Sequence, residues 1–234
     1  MRLTLGSRRV VKLRVLKVLL FCCFVATGAG SIANPHERSN KQALLAEVFP
    51  NVCVFSGTFV QEKWLDGLEK PLRTHGDFFF SCKYGLVWNT VQPIKEVFLY
   101  ADPTKSFRVD ERGRMLRPSG GALYAMSRIV FRILEGDVKY FAKDFELSRD
   151  ASGALLLVPR SKYMRRGLKQ IHIQRIFNEQ AVDSIRLKII DSVDQSTQVV
   201  IDNIKDYPID SWQKSYEKCK ALYPISKEWC VALR

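Results

Sequence analysis

Three histidines, His36, His75 and His172, are all that 234 residues supply, and the acidic residues are scattered rather than paired at a recognisable spacing. No Gly-x-Ser-x-Gly sets a serine on a nucleophile elbow, no glycine-rich loop is shaped to cradle phosphate, and no His-Glu-x-x-His helix is present. His75 and His172 fall in strand-like runs, where a hydrogen-bonded structural role is expected. The sequence therefore offers no catalytic residue and points away from an enzyme. It also lacks a cofactor motif, and its widely spaced cysteines and few histidines make a poor zinc set, so neither cofactor nor metal is expected. A membrane span needs roughly 20 apolar residues, and the longest stretch, Val18 to Ala26, is too short. Internal repeats, low-complexity runs and linkers are missing too, which favours a single domain.

What is present at the N-terminus is an export signal. Residues 1–33 read as a basic n-region (Arg2, Arg8, Arg9, Lys12, Arg14, Lys17), the apolar stretch, and small residues leading to Ser31-Ile32-Ala33, with cleavage before Asn34. Phe21 before Cys22 is too large for the site used when a lipoprotein is cut before an acylated cysteine. Removing six basic residues and no acidic one leaves 31 Lys and Arg against 24 Asp and Glu, so the net charge falls from +13 to +7. Much of the basicity thus belongs to the leader, which weakens any nucleic-acid reading. Residues 34–234 are enough to bury a substantial core as one soluble domain.

Four cysteines then remain: Cys53, Cys82, Cys219 and Cys230. An even number in an exported chain favours disulfides, with free buried thiols as the alternative. If Cys53–Gln61 and Thr74–Cys82 form a hairpin, one register sets Cys53 against Cys82, Phe55 against Phe80, Gly57 against Phe78 and Phe59 against Gly76. Aromatic rings covering cross-strand glycines make that register self-consistent. Cys219 and Cys230 would close a small C-terminal loop.

Ten of the 26 aromatic residues lie between Cys53 and Asp102: Phe55, Phe59, Trp64, Phe78, Phe79, Phe80, Tyr84, Trp88, Phe98 and Tyr100. Period-2 alternation puts many of them on one face of an antiparallel sheet, either an ordinary core or a surface for something greasy. Strands are predicted over Cys53–Lys63, Leu72–Cys82, Leu86–Val91, Ile94–Ala101 and Ser106–Val109, and later over Ala154–Val158, Lys169–Phe177, Ala181–Ile190 and Thr197–Ile201. Helical spacing marks a short helix from Ser39 through Leu44, Leu45 and Val48. A second carries Leu123, Met126, Ile129, Val130, Ile133 and Leu134, with Arg128 and Arg132 on its other face, and a third runs from Ser211 to Tyr223. The segment with Tyr140, Phe141 and Phe145 fits no single pattern. The charge run from Arg160 to Lys169 reads as a solvated loop, or as a contact for an acidic partner or anionic membrane surface through Arg165 and Arg166.

These strands resemble the periplasmic outer-membrane lipoprotein carrier family of Gram-negative bacteria, LolA. The similarity runs over about residues 39–205. It is carried by Phe55-Ser56-Gly57-Thr58-Phe59-Val60-Gln61, by Gly76 with Gly85-Leu86-Val87-Trp88 and Pro93, by Leu157-Val158-Pro159-Arg160 followed by Leu168-Lys169-Gln170-Ile171, and by Ile185, Asp191, Thr197 and Asn203. The turn Gly67-Leu68-Glu69-Lys70-Pro71-Leu72 looks closer to a divergent branch associated with lipid-like products.

The resemblance implies an α+β fold, mainly antiparallel: a curved, incomplete barrel whose apolar concave face is covered by helices. It also implies a monomeric periplasmic carrier that takes lipoprotein or other acylated cargo from an inner-membrane donor to an outer-membrane acceptor. Phe55, Phe59, Phe78, Phe80, Leu86, Trp88, Phe98 and Tyr100 would line the sheet side, and Leu123, Met126, Ile129 and Ile133 would cover it. One departure is that Cys82 stands where the family has an arginine that latches the cover. The competing expectations are a periplasmic scaffold or assembly factor that binds protein with the same face, and a lipid-modifying enzyme with paired acids at the cavity mouth.

Overall fold

Where aromatic and branched residues alternate, the chain pairs into strands. The computed structural model describes residues 43–45, 48, 52–102, 105–117, 129–176 and 184–234. Six strands come first: β1 (Val54–Lys63), β2 (Leu72–Ser81), β3 (Gly85–Gln92), β4 (Glu96–Tyr100), β5 (Ser106–Val109) and β6 (Met115–Leu116). Helical residues 129–135 and α1 (Val138–Asp144) follow. Then come β7 (Phe145–Arg149), β8 (Leu155–Pro159), α2 (Lys162–Arg165), β9 (Gln170–Ile176), β10 (Ser184–Ile190) and β11 (Ser196–Asp206). The chain finishes with α3 (Trp212–Leu222) and α4 (Lys227–Ala232).

The strands make one antiparallel sheet in the order β6-β5-β4-β3-β2-β1-β11-β10-β9-β8-β7, and it is not closed into a barrel. β1 and β11 meet in the middle, so the two ends of the order are β6 and β7, consecutive in sequence and at opposite edges. The connection between them carries residues 129–135 and α1, whose buried side chains join the core cluster on one face.

The β1–β2 hairpin has the register expected from its cysteines and glycines: Phe55 faces Phe80, Gly57 faces Phe78 and Phe59 faces Gly76. Cys53 and Cys82 are disulfide-bonded just beyond it, with Cα atoms 5.3 Å apart, and Cys219 and Cys230 are bonded at 5.9 Å. Both glycines are needed for close approach. A Cβ on Gly76 would stand 1.8 Å from the Asn89 carbonyl oxygen and 2.9 Å from the Phe59 ring; on Gly57 it would meet the Asp202 carbonyl oxygen at 2.8 Å and the Phe78 ring at 2.9 Å.

Both faces of the β1–β5 half are covered, and this explains the uninterrupted burial of Phe78, Phe79, Phe80 and Ser81 in β2. Phe78 and Phe80 join one core cluster, while Phe79 joins a second with Val54, Val87, Val97 and Leu99 beneath α3 and α4. The β8–β11 half keeps strict alternation: in β10, Ile185, Leu187 and Ile189 are buried while Arg186 and Lys188 are exposed.

The segment that fitted no pattern splits into α1 and β7. Asp137 caps α1 by accepting from the Tyr140 backbone N–H, which makes a helix of residues whose aromatic content also suits a strand. The Arg160–Lys169 run contains the single turn α2, capped by Ser161, and is otherwise mostly exposed. Residues 43–45 are helical, and Leu45 and Val48 are buried in the first cluster.

Candidate functional site

The first cluster gathers the aromatic face predicted from the strands. Phe55, Phe59, Phe78, Phe80, Leu86 and Tyr100 are at most 2% exposed, Phe98 is 7% exposed, and Trp88 is partly buried against them. Their rings form a chain. Phe59 stacks on Trp88 at 3.9 Å between centroids, Trp88 on Phe78 at 5.6 Å, and Phe78 meets Phe55 edge-on at 5.8 Å. Phe55 lies 5.1 Å from Phe80. Phe131, from the helical segment, sits between Phe80 at 5.4 Å and Tyr100 at 4.8 Å. Each such contact contributes on the order of 1 kcal/mol beyond the area it buries.

Ile129 and Ile133 of the expected cover are buried in this cluster, while Leu123 and Met126 lie outside the described residues. Phe131 is absent from the sequence-derived stripe because it falls off the i, i+4 spacing. The signal was there: residues 129–134 are apolar all round except at Arg132, the pattern of a helix packed on more than one side. A second aromatic group, Tyr140, Phe141 and Phe145, was also missed, with centroids 5.1 to 5.9 Å apart. The other half of the face is aliphatic, built from Leu155, Leu157, Ile171, Ile173, Leu187 and Ile201. One wall is thus ring-lined and the opposite wall methyl-lined.

Charge enters this region at Arg132. Its Nη1 donates to Glu135 at 2.6 Å and Asp137 at 2.9 Å, and its guanidinium lies 5.9 and 5.8 Å from the ring centres of Phe131 and Tyr140. Burial works against its charge, but the two carboxylates outweigh it and hold the pKa above the ordinary value. Because Asp137 also caps α1, Arg132 ties residues 129–135 to α1 across Gly136, and the two helical pieces are braced as one body. Cys82, where the resemblance would put a latch arginine, is bonded to Cys53.

The outer face is pinned differently. Tyr84 donates its hydroxyl to the Cys230 carbonyl and packs against Trp212 at 5.6 Å; burial raises its pKa above the ordinary value. Ser81 donates to Ser215 at 3.0 Å and Tyr223 to Asp77 at 2.8 Å. Two cavities lie away from the aromatic wall, one of about 430 Å³ beside α3 and α4 and one of about 320 Å³ near β4 to β6.

His172 accepts or donates at both ring nitrogens, with Nδ1 2.6 Å from Asp150 and Nε2 2.8 Å from the Gln170 amide, a structural position on β9; His75 is exposed on β2. Hydrogen bonds from Ser152 and then His172 hold the Asp150 carboxyl well below the usual carboxylate range. Arg165 donates to the carbonyls of Pro159 at 3.1 Å and Arg160 at 2.7 Å, so part of its donor capacity is spent locally, whereas Arg166 is exposed. Among the described residues no group of three His, Cys, Asp or Glu could hold a metal ion, and no helix is long and apolar enough to cross a membrane.

The model of the family described as outer membrane lipoprotein carrier protein LolA matches residues 51–212. The match ends at the first residue of α3, so most of the C-terminal helical pair lies beyond it. Among solved structures, a LolA superfamily protein from Nitrosomonas europaea is similar at 8% identity, over 74% of this chain and 94% of that chain, with a TM-score of 0.42. No curated protein matches the chain.

Proposed function

The chain belongs to the LolA family of outer membrane lipoprotein carrier proteins, and from that membership we propose that it is a soluble periplasmic carrier that shields acyl chains on its ring-lined face and delivers them towards the outer membrane. Residues 1–33 serve as the export signal, and residues 34–234 are the carrier domain, which works as a monomer. Cargo is a lipoprotein or related acylated lipid, received from an inner-membrane donor and passed to an outer-membrane acceptor, with exposed Arg166, and Arg165 beside it, meeting an acidic surface on one of them. The chemistry is binding rather than catalysis.

The observation that carries this reading is Phe131, a ring supplied by a separate helical body and seated between two rings of the sheet. Transfer of a sixteen-carbon chain out of water is worth about 12 kcal/mol, at roughly 0.8 kcal/mol per CH₂. Burying Ile129, Phe131, Ile133 and Leu134 contributes on the order of 10 kcal/mol on the same scale. Cover and cargo therefore compete for one wall on nearly equal terms, which is the condition for both uptake and release. The protein's own side chains, Phe131 among them, pack on this wall, so cargo would have to displace them. Cys82 in place of the latch arginine leaves the bracing of the cover to Arg132 and Asp137.

The test is native mass spectrometry of protein purified from a Gram-negative host, with titration of a fluorescent fatty acid. A bound lipid or saturable uptake at one chain per protein is expected. Neither lipid nor uptake, together with a stable protein partner, would replace the carrier with a scaffold.

A further inference from the structure

The larger cavity, about 430 Å³, lies on the outer face between β2, β3 and the turn joining α3 to α4, on the side of the sheet opposite the aromatic wall. Asp77 and Asn89 are cross-strand partners in β2 and β3, and both line it. The Asp77 carboxylate accepts from the Tyr223 hydroxyl at 2.8 Å through one oxygen and from the Asn89 amide at 2.9 Å through the other. Both donors are neutral. Among the described residues no Lys, Arg or His forms an ion pair with Asp77, and its carboxylate lines the cavity. Each carboxylate oxygen can accept a further bond. The rest of the wall is mixed: Trp229 partly buried, its ring 5.4 Å from that of Tyr223, Pro224 and Ser226 in the turn, Leu222 at the margin and Ile225 95% exposed on the rim.

The geometry points to a binding site for a small alkylammonium group, primary or quaternary, seated against the Asp77 carboxylate and the face of Trp229. A held carboxylate supplies the charge that an ammonium needs, and an indole face within about 6 Å attracts the same cation while tolerating its methyl or methylene groups. The volume falls in the range of about 300–1,000 Å³ typical of small-molecule sites, and the two neutral hydrogen bonds fix the carboxylate before any ligand arrives. The ammonium could be that of a free amine or of a lipid headgroup, and the chemistry is shared.

Calorimetric titration of the full mature chain with choline chloride and ethanolamine hydrochloride tests the site, with 3,3-dimethyl-1-butanol as the uncharged isostere of choline. Saturable 1:1 binding of the amines is expected, with binding of the isostere weaker by about tenfold or more, and with Asp77→Asn weakening the amines about tenfold or more at an unchanged circular dichroism spectrum. Should Asp77→Asn fail to fold, Trp229→Leu at the partly exposed rim provides the second reading, with a several-fold loss. No saturable binding, equal binding of the isostere, or amine affinity indifferent to Asp77→Asn and Trp229→Leu would each overturn the proposal. Dihexanoyl phosphatidylethanolamine, titrated below its micelle concentration, separates the sources: tighter binding than ethanolamine assigns the site to a headgroup, and weaker binding assigns it to a free amine. This proposal does not rest on the carrier reading, because loss of fatty-acid uptake with intact ammonium binding would count against that reading alone.

Discussion

Strands β1 to β4 are covered twice, once on each face, and the two covers are built on different principles. On the inner face, residues 129–135 and α1 meet the sheet ring against ring, through Phe131, and among the described residues no disulfide ties them down. On the outer face, α3 and α4 are cross-linked by Cys219–Cys230 and pinned by directional bonds from Tyr84, Ser81, Lys83 and Tyr223. Ring contacts involve no hydrogen-bonding group, so a hydrocarbon can replace them without leaving a polar group stranded. A buried hydroxyl deprived of its partner costs about 1–3 kcal/mol. One cover is therefore suited to exchange and the other to permanence, although both rest on the same strands.

The sharpest way to break the contrast is a charge in the inner wall. Trp88→Asp is expected to abolish fatty-acid uptake, read by fluorescence titration, while circular dichroism keeps the strand signal, since Trp88 is only partly buried. Loss of the fold instead would make the inner face an ordinary core. Next, Phe131→Ala removes the inserted ring: a destabilisation of about 3 kcal/mol by urea unfolding is expected, together with fatty-acid affinity raised about tenfold or more as the unloaded state loses its plug. Trp212→Ala on the outer cover should leave that affinity unchanged, and equal gains from both would erase the distinction between covers. Replacing Cys219 and Cys230 with serine opens a link between residues 11 apart and is expected to lower stability by about 2–3 kcal/mol with uptake retained.

The smallest effect concerns the other half of the sheet, where outward side chains such as Arg186 and Lys188 are exposed. The Asp150 carboxyl is held below its ordinary value of 3.8, so its contribution to stability is complete above that pH and fades as the pH falls towards its lower folded-state value. Asp150→Asn should lower stability slightly near neutrality and leave it unchanged at the acid end, so that the acid side of a stability-versus-pH curve flattens. An unchanged acid limb would show that the His172 and Ser152 bonds do not hold the β7–β8 turn.

Much of the aromatic half was legible because its constraints are local. Phe78 needs a glycine opposite, Gly76 needs a ring above it, and Cys53 and Cys82 must end within bonding reach, which together leave one register. The inner cover was legible only in part. Phe131 lies outside a one-sided stripe, and a helix that inserts between two rings does not obey one-sided periodicity. Tyr140, Phe141 and Phe145 suit strand and helix alike, and the Asp137 cap that decides between them is a single residue. β6 has two residues and α4 six, too few for a period to register. β11 runs on through Asp202 to Asp206 because β1 supplies a hydrogen-bonding partner, a reason that no pattern of side chains encodes.

The seam between β1 and β11 has a consequence for how the molecule is made. Ser56 and Tyr207, which meet across it, are 151 positions apart, so the middle of the sheet is the last part that synthesis can complete. Until then the hairpins on either side present unpaired central edges, and loop closure over such a distance is slow, placing folding in the millisecond-to-second range. A nascent chain lacking its last strand leaves that midline open, and the ladder can zip shut only after its final hairpin has been made.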